Sequence, residues 1–263
     1  MRAGSREVIR GVLLDLDGTI YRGAQEVPGA AQFVWQLRTW NIRHLFVTNR
    51  ASRPAEDVRD HLRGYGIDCS TEDVLTSAQA TVAYLAKGSA YYIGEEGMRR
   101  ALVEAGFEIT DHAPDYVIVS LDRGFTYEKL ATASRLIAAG ARFVATNPDR
   151  ALNDGKHVVP GNGALIAAVV AATGMNPLMI GKPEKLILEM ALKRLKIAAA
   201  DAIAVGDNPE TDIPAGANAG VRTAYILTGV GCREDAARLG VSPTWIVESF
   251  DELLHIVARE NNI

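Results

Sequence analysis

Short apolar runs alternate with amphipathic helical patterns along most of this chain, and few folds accommodate such an alternation. Val8 to Leu14 reads as a strand. Ala30, Phe33, Val34 and Leu37 then fall at i, i+3, i+4 and i+7, which makes a helix with one buried stripe. Leu45-Phe46-Val47 reads as a second strand, and Pro54 opens a helix that puts Val58, Leu62 and Tyr65 on one face and ends near Gly66. The C-terminal part repeats the pattern: a helix from about Pro183 to Leu195, a strand at Ile203-Ala204-Val205, a helix near Ile213 to Ala219 and a strand at Thr223 to Ile226. A last helix carries Phe250, Leu253, Leu254 and Val257 at helical spacing. Strands that are continuously apolar and separated by helices imply an α/β fold, with a parallel sheet covered on both faces.

Between these two parts lies a stretch with its own alternation. Tyr91 to Ile93, Tyr116 to Ser120, Arg142 to Ala145 and Leu178 to Ile180 are strand-like, while Met98 to Ala105, Tyr127 to Ala139 and Ala164 to Ala172 are helical. Roughly a hundred residues with several elements exceed a loop and can hold a core of their own. The sequence is therefore read as an inserted domain, residues 79–180, within a domain made of 1–78 and 181–263. One larger sheet is the alternative.

Composition narrows the function. With 263 residues, 48% apolar and 23% charged, the chain has the make-up of an ordinary globular protein. A formal charge of −4 without a basic cluster argues against a nucleic-acid partner. Cys69 and Cys232 have neither zinc-ligand nor CxxC spacing, which suits a reducing cytoplasm. No run has the length of a membrane span, so no membrane partner is expected, and the first residues lack the apolar segment of a signal peptide. A homodimer is left open by the sequence.

The polar residues that follow the strands carry the chemistry. The first strand runs into Asp15-Leu16-Asp17-Gly18-Thr19, two carboxylates one residue apart at a strand's carboxyl edge. There one acid can attack while the other handles protons. Thr48-Asn49 follows the second strand, Gly181-Lys182-Pro183 follows the run ending at Ile180, and Gly206-Asp207 to Asp212 follows the strand ending at Val205. Ligands of open parallel sheets bind beyond the carboxyl ends of the strands, so these loops can converge. Several acids would repel an anionic substrate unless a hard cation neutralised them, and oxygen-only donors suit magnesium.

This four-part series, Asp-x-Asp-Gly-Thr, then Thr48, then Lys182, then Gly206-Asp207 to Thr211-Asp212, resembles the signature of the haloacid dehalogenase superfamily of phosphohydrolases. Between the second and third parts stand Ala145-Thr146-Asn147-Pro148-Asp149, Pro160-Gly161-Asn162-Gly163 and Gly181-Lys182-Pro183. These resemble the branch of p-nitrophenyl phosphatases, pyridoxal phosphatases and bacterial sugar phosphatases. The resemblance covers nearly the whole chain. It implies a Rossmann-like parallel-sheet core with an inserted α/β cap domain, and a magnesium-dependent phosphatase of small phosphorylated metabolites, sugar phosphates foremost. In this resemblance Asp15 is the nucleophile that becomes an aspartyl phosphate, and Asp17 the acid and then the base. Mg2+ is held by the Asp15 carboxylate, the Asp17 carbonyl and Asp207, with Asp212 supporting it through water or from behind the direct ligands. Thr48 and Asn49 bind the phosphoryl group, Lys182 offsets charge, and Thr19 shapes the loop.

The chain departs from many such relatives at Arg50-Ala51-Ser52-Arg53, where they carry Asn and Ser; Arg50 is read as a solvated arginine capping the loop. Since the phosphoryl and metal groups are common to every monoester, discrimination among alcohols must lie elsewhere. The turn-rich segment Arg150 to Gly155 resembles the cap loop of relatives, with Arg150 and Asn153 as substrate contacts and Arg123 to Tyr127 as the next place to look. A pyridoxal phosphate or nucleotide phosphatase is the alternative enzyme, and a catalytically silent binder of phosphometabolites the alternative of another class. Other features are read structurally. Gly161-Asn162-Gly163 is a helix-entry turn, the alanine-rich stripe from Ala164 to Ala172 is close helix packing, Trp35 and Trp40 belong to core or helix-end packing, Trp245 lies in a strand, and none of the five histidines has metal spacing.

Overall fold

The computed structural model describes residues 8–153, 157–229 and 231–263, and of Asn153 the backbone only. It divides into two compact units, one formed by the described residues of 1–48, 60–74 and 183–263, the other by those of 49–59 and 75–182. Each has its own parallel sheet, so the single larger sheet is not the arrangement this sequence adopts.

In the first unit the sheet runs in the order Trp245–Val247, Arg222–Ile226, Ala202–Gly206, Gly11–Leu14, Arg43–Thr48, with the strand that begins at Val74 on the edge. Gly11–Leu14 and Ala202–Gly206 are buried at every position, which explains their continuous apolar character. Both neighbours pair parallel with Gly11–Leu14, and Leu14 stands opposite Val205 on one side and Phe46 on the other. The three carboxyl ends are thereby level.

The helices bury the stripes their spacing predicts, with two corrections. Ala30–Thr39 buries Ala30, Phe33, Val34 and Leu37. Phe250–Asn261 is started by the Ser249 side chain, which accepts from the Glu252 amide, and it buries Phe250, Leu253, Ile256 and Val257. Leu254 is only half-buried; Ile256 takes the place assigned to it. The rings of Phe33 and Phe250 meet at 5.1 Å and fasten the two helices together, each buried ring being worth about 1.5–3 kcal/mol. Trp35, on the outer face of its helix, is 63% exposed and is not a core residue. Trp245 lies in a strand as expected, with the Arg222 guanidinium over its ring at 5.5 Å.

The second unit has a five-stranded parallel sheet in the order Leu178–Met179, Arg142–Ala145, Tyr116–Val119, Ser89–Ile93, Glu108–Ile109. Tyr127–Ala138 and Asn162–Thr173 close its core through Leu136, Ile137, Leu165, Ile166 and Val169. The alanines of the second helix are mostly exposed, so its inner face is made by branched residues and not by an alanine stripe. Gly161 is the N-cap of that helix, the helix-entry turn read from sequence. Helix Ser77–Tyr84 escaped the sequence reading because its buried residues, Ser77, Ala78, Ala80 and Thr81, are small and give no apolar stripe. Its start was legible: Thr76 and Gln79 form a reciprocal capping box, amide to side chain at 3.2 and 3.0 Å.

One buried group limits the first unit at low pH. His44 lies inside strand Arg43–Thr48, 8% exposed, edge-on to Phe46 at 5.6 Å, and its Nε2 is buried without a hydrogen-bond partner among the described residues. Burial first, and then the positive charge of Arg38, pull its pKa down to about 4, against smaller opposite effects of Asp73 and the Ile42 backbone. Since the unfolded imidazole takes a proton near 6.5 and the folded one near 4, stability is fully present above about pH 6.5 and falls as pH drops toward 4. The loss expected by the lower limit is roughly 3 kcal/mol. Urea unfolding across this range should show wild type losing stability that His44→Leu retains; parallel losses in both proteins would assign the acid sensitivity to other groups.

Candidate functional site

The level carboxyl ends of the first unit's central strands bring together residues that are far apart in sequence. Asp15 follows Leu14 directly, its amide still donating to the Val205 carbonyl at 2.9 Å. Asp207 follows the neighbouring strand Ala202–Gly206, and Asp212 opens the helix Asp212–Asn218 five residues later. Carboxylate oxygens of Asp15, Asp207 and Asp212 all lie within 4.8 Å of one another. Asp207 and Asp212 are 2% and 5% exposed. Close, buried carboxylates repel and are poorly hydrated, so the arrangement favours a bound cation. The Asn208 amide donates to Asp212 Oδ2 at 3.1 Å, and the buried Thr19 hydroxyl donates to Asp207 Oδ1 at 3.4 Å. Thr19 thus shapes the loop by holding an acid.

Asp17 differs from these three acids. After Asp15 the chain turns tightly: the amides of Thr19, Ile20 and Tyr21 all point at the Leu16 carbonyl, and the Gly18 amide donates to the Tyr21 carbonyl at 2.8 Å. This turn leaves the Asp17 side chain exposed. Its carboxyl meets water directly, unlike those of the buried Asp207 and Asp212.

Glycines make room for the acids. Gly18 has φ +90°, and a Cβ on it would overlap the Asp207 carboxylate. A Cβ on Gly229 would overlap the same carboxylate from the loop after strand Arg222–Ile226. Thr228, beside Gly229 and 8% exposed, donates from its hydroxyl to the Gly18 carbonyl at 2.9 Å. The sequence reading missed Thr228 and Gly229. Their signal was positional, a polar-glycine pair after a predicted strand, and only the strand order reveals that this strand neighbours Ala202–Gly206.

The remaining sequence-predicted residues divide between the units. Thr48, 2% exposed, ends strand Arg43–Thr48 in the first unit, two residues past the position level with Leu14. Asn49 and Lys182 belong to the second unit and are joined there: the Lys182 amide donates to Asn49 Oδ1 at 2.9 Å, and Asn49 Nδ2 donates to the Lys182 carbonyl at 3.0 Å and to Asp149 at 3.3 Å. Asn147 Nδ2 also donates to the Asn49 carbonyl at 2.6 Å. Both ends of the Asn49 side chain are therefore engaged in a clamp on the backbone before Pro183. Lys182 is 4% exposed. Arg50 is half-buried and not the solvated arginine expected.

Arg150 is exposed, and its carbonyl accepts from Gly161 at 2.9 Å. The segment after it is not a plain turn: Ala151–Asn153 is a strand paired antiparallel with Val158–Pro160. The Asn153 side chain and residues Asp154 and Gly155 of the predicted substrate loop lie outside the described residues. In the fallback segment, Arg123 Nη1 donates to both carboxylate oxygens of Glu95 at 2.9 and 2.8 Å, and the buried Asp122 accepts from Lys129 at 2.6 Å. No helix among the described residues is long and apolar enough to cross a membrane.

Comparison with known proteins points to one family. A family model described as haloacid dehalogenase-like hydrolase matches residues 12–108, and a related hydrolase-like model matches 179–253. An acid sugar phosphatase of Staphylococcus haemolyticus is 42% identical over 249 residues, covering 93% of this chain and 94% of the relative. Among solved structures, a single-mutant thermostable NPPase from Geobacillus stearothermophilus is similar at TM-score 0.88 and 41% identity, covering 93% of this chain and 97% of its own. A p-nitrophenyl phosphatase from Archaeoglobus fulgidus is similar at TM-score 0.91 and 30% identity, covering 95% and 99%.

The glycine packing yields a direct test. Gly229→Ala should leave the thermal melt near that of wild type while displacing the Asp207 carboxylate, weakening divalent-cation affinity about 10- to 100-fold, the usual loss when a residue supporting a metal ligand is changed. Unchanged affinity by calorimetry would show that the loop, and not the acid, gives way.

Proposed function

The chain belongs to the haloacid dehalogenase-like hydrolases, and on that footing we propose that it is a magnesium-dependent phosphatase of small organic phosphate monoesters, sugar phosphates foremost, working through an aspartyl phosphate on Asp15. The observation that carries this reading is the convergence of Asp15, Asp207 and Asp212 at the carboxyl ends of adjacent parallel strands, with Asp17 exposed one residue beyond. An acid sugar phosphatase among the similar proteins supports the choice of sugar phosphates.

The donor set fits a hard divalent cation, being oxygen-only, close-set and largely buried. In this reading Asp15, the Asp17 carbonyl and Asp207 would hold Mg2+, and Asp212 would support it. When bound, the ion supplies positive charge that offsets the phosphoryl oxygens. Asp15 attacks phosphorus in line, and the bond from phosphorus to the substrate oxygen breaks as Asp17 gives that oxygen its proton. Asp17 then takes a proton from water, whose oxygen attacks phosphorus. The bond to Asp15 breaks and inorganic phosphate leaves. Thr48 donates its hydroxyl to a phosphoryl oxygen, and Lys182, with its backbone fixed by Asn49, adds a point charge.

The second unit, as a cap, reads the alcohol, with Arg150 and Asn153 as its contacts. The charge of −4 without a basic cluster favours a metabolite over a nucleic acid as partner, and two cysteines that suggest no disulfide framework favour the cytoplasm as its place of work.

Two experiments test the reading. Asp15→Asn should abolish turnover with the circular dichroism spectrum intact, because the amide has nearly the volume of the acid but is a far poorer nucleophile. Asp17→Asn should lose about 10²- to 10⁴-fold on a sugar phosphate and much less on p-nitrophenyl phosphate, whose phenolate leaves without a proton. Wild-type-like turnover by Asp15→Asn would end its role as nucleophile. Separately, calorimetric titration with Mg2+ should show binding by wild type and none by Asp207→Ala; equal affinity in the two would remove Asp207 from the metal site.

A further inference from the structure

The turn that carries Asp17 is fastened to a different part of the first unit by an aromatic cluster that the phosphatase reading does not use. After the turn the chain forms a small hairpin, Tyr21–Arg22 against Gln25–Glu26. Tyr21 is tied to the acid turn through its backbone: its carbonyl accepts from the Gly18 amide at 2.8 Å, and a one-residue bridge joins it to Asp17. Its side chain, 1% exposed, is held elsewhere. The ring lies 4.5 Å from the His61 ring and 5.7 Å from the Tyr65 ring, nearly parallel to the latter at 26°. His61 is in the last turn of helix Ala55–Gly64, and Tyr65 follows its end.

Polar bonds complete the cluster. The Tyr65 hydroxyl donates to the Gly23 carbonyl, in the hairpin's turn, at 3.3 Å. Its oxygen stands 2.9 Å from His61 Nε2, so with its own proton directed to Gly23 it accepts from that nitrogen. The hairpin is thus gripped at Tyr21 by two ring contacts, the tilted His61 ring and the stacked Tyr65 ring, and at Gly23 by a hydrogen bond. The Tyr65 hydroxyl also feels the acid turn, its pKa being raised by burial first and then by the negative charges of Asp17 and Glu26.

We propose that His61 and Tyr65 are positioning residues for the reaction: by gripping Tyr21 and Gly23 they fix the hairpin, and through the Tyr21 backbone the orientation in which Asp17 delivers its proton to the leaving oxygen. The inference rests on the reading of Asp17 as the general acid. A shift of about 1 Å in a catalytic group costs on the order of 10²-fold where its geometry matters, and here it matters only for leaving groups that need a proton. Asp15, whose amide is bonded into the sheet at Val205, is held independently of the grip.

The test is Tyr65→Phe, which keeps the ring and removes the hydroxyl, beside His61→Gln and Asp17→Asn. Each is assayed with wild type on glucose 6-phosphate, an alkoxide leaver, and on p-nitrophenyl phosphate. The expected result is a fall in kcat of about 10-fold or more on the sugar phosphate for Tyr65→Phe and His61→Gln, with less than about 3-fold on the aryl phosphate, an unchanged Mg2+ affinity and an intact thermal melt. Tyr65→Leu, which also removes the stacking, should widen the gap between the two substrates. Equal losses on both substrates, or no loss on either, would overturn the proposal while a discriminating Asp17→Asn left the acid role standing. Failure of Asp17→Asn itself to discriminate would remove the acid role and the inference with it.

Discussion

Mutual repulsion of carboxylates is the constraint around which the first unit is arranged. Asp15, Asp207 and Asp212 bring their oxygens within 4.8 Å of one another, two of them buried, and nothing in their own chemistry favours that. They are held together by the sheet. Gly11–Leu14 is hydrogen-bonded on both sides, its apolar residues are buried on both faces, and Leu14 is in register with Val205 and Phe46. A slip of one residue would turn every side chain of that strand to the opposite face, so the energy that fixes the register is the burial of Val12, Leu13 and Leu14. The cohesion of the core is thereby set against the repulsion of the acids at its edge.

The acids also shape the backbone around them. Gly18 and Gly229 approach the Asp207 carboxylate from two different loops, and either Cβ would enter its volume. Thr228 joins the two loops by its bond to the Gly18 carbonyl. The acid is therefore enclosed by main chain from two sides, which limits the orientations its oxygens can take before any cation arrives. A site built this way is preorganised, in the sense that the cost of aligning its ligands is met during folding.

What the sequence made legible follows from the range of the interactions involved. The alternation of apolar strands and striped helices depends on residues a few positions apart, and it located the strands through Leu14, Val47 and Val205 and the helices through Phe33 and Leu253. The acids were legible because they follow those strands directly. Helix Ser77–Tyr84 was obscured because small buried residues leave no stripe, although its Thr76 and Gln79 capping box stood in plain view. Trp35 misled because core or helix-end packing was expected of a large ring without asking which face of the helix it occupies. Asn49 and Thr228 could not be judged from sequence at all. The engagement of one by Lys182 and of the other by Gly18 are contacts across 133 and 210 residues, and no local pattern encodes them.

The strand that ends at Thr48 shows how one element can serve stability and chemistry without conflict. Its first half carries His44, opposite Val12 in the interior of the sheet, where burial keeps the imidazole neutral to about pH 4. Its last residue, Thr48, lies on the edge with the acids. Protonation of His44 would introduce a buried charge where, among the described residues, no acceptor meets Nε2. Because the interior fixes the register on which the edge depends, the burial of His44 as a neutral ring is part of what keeps the acids assembled.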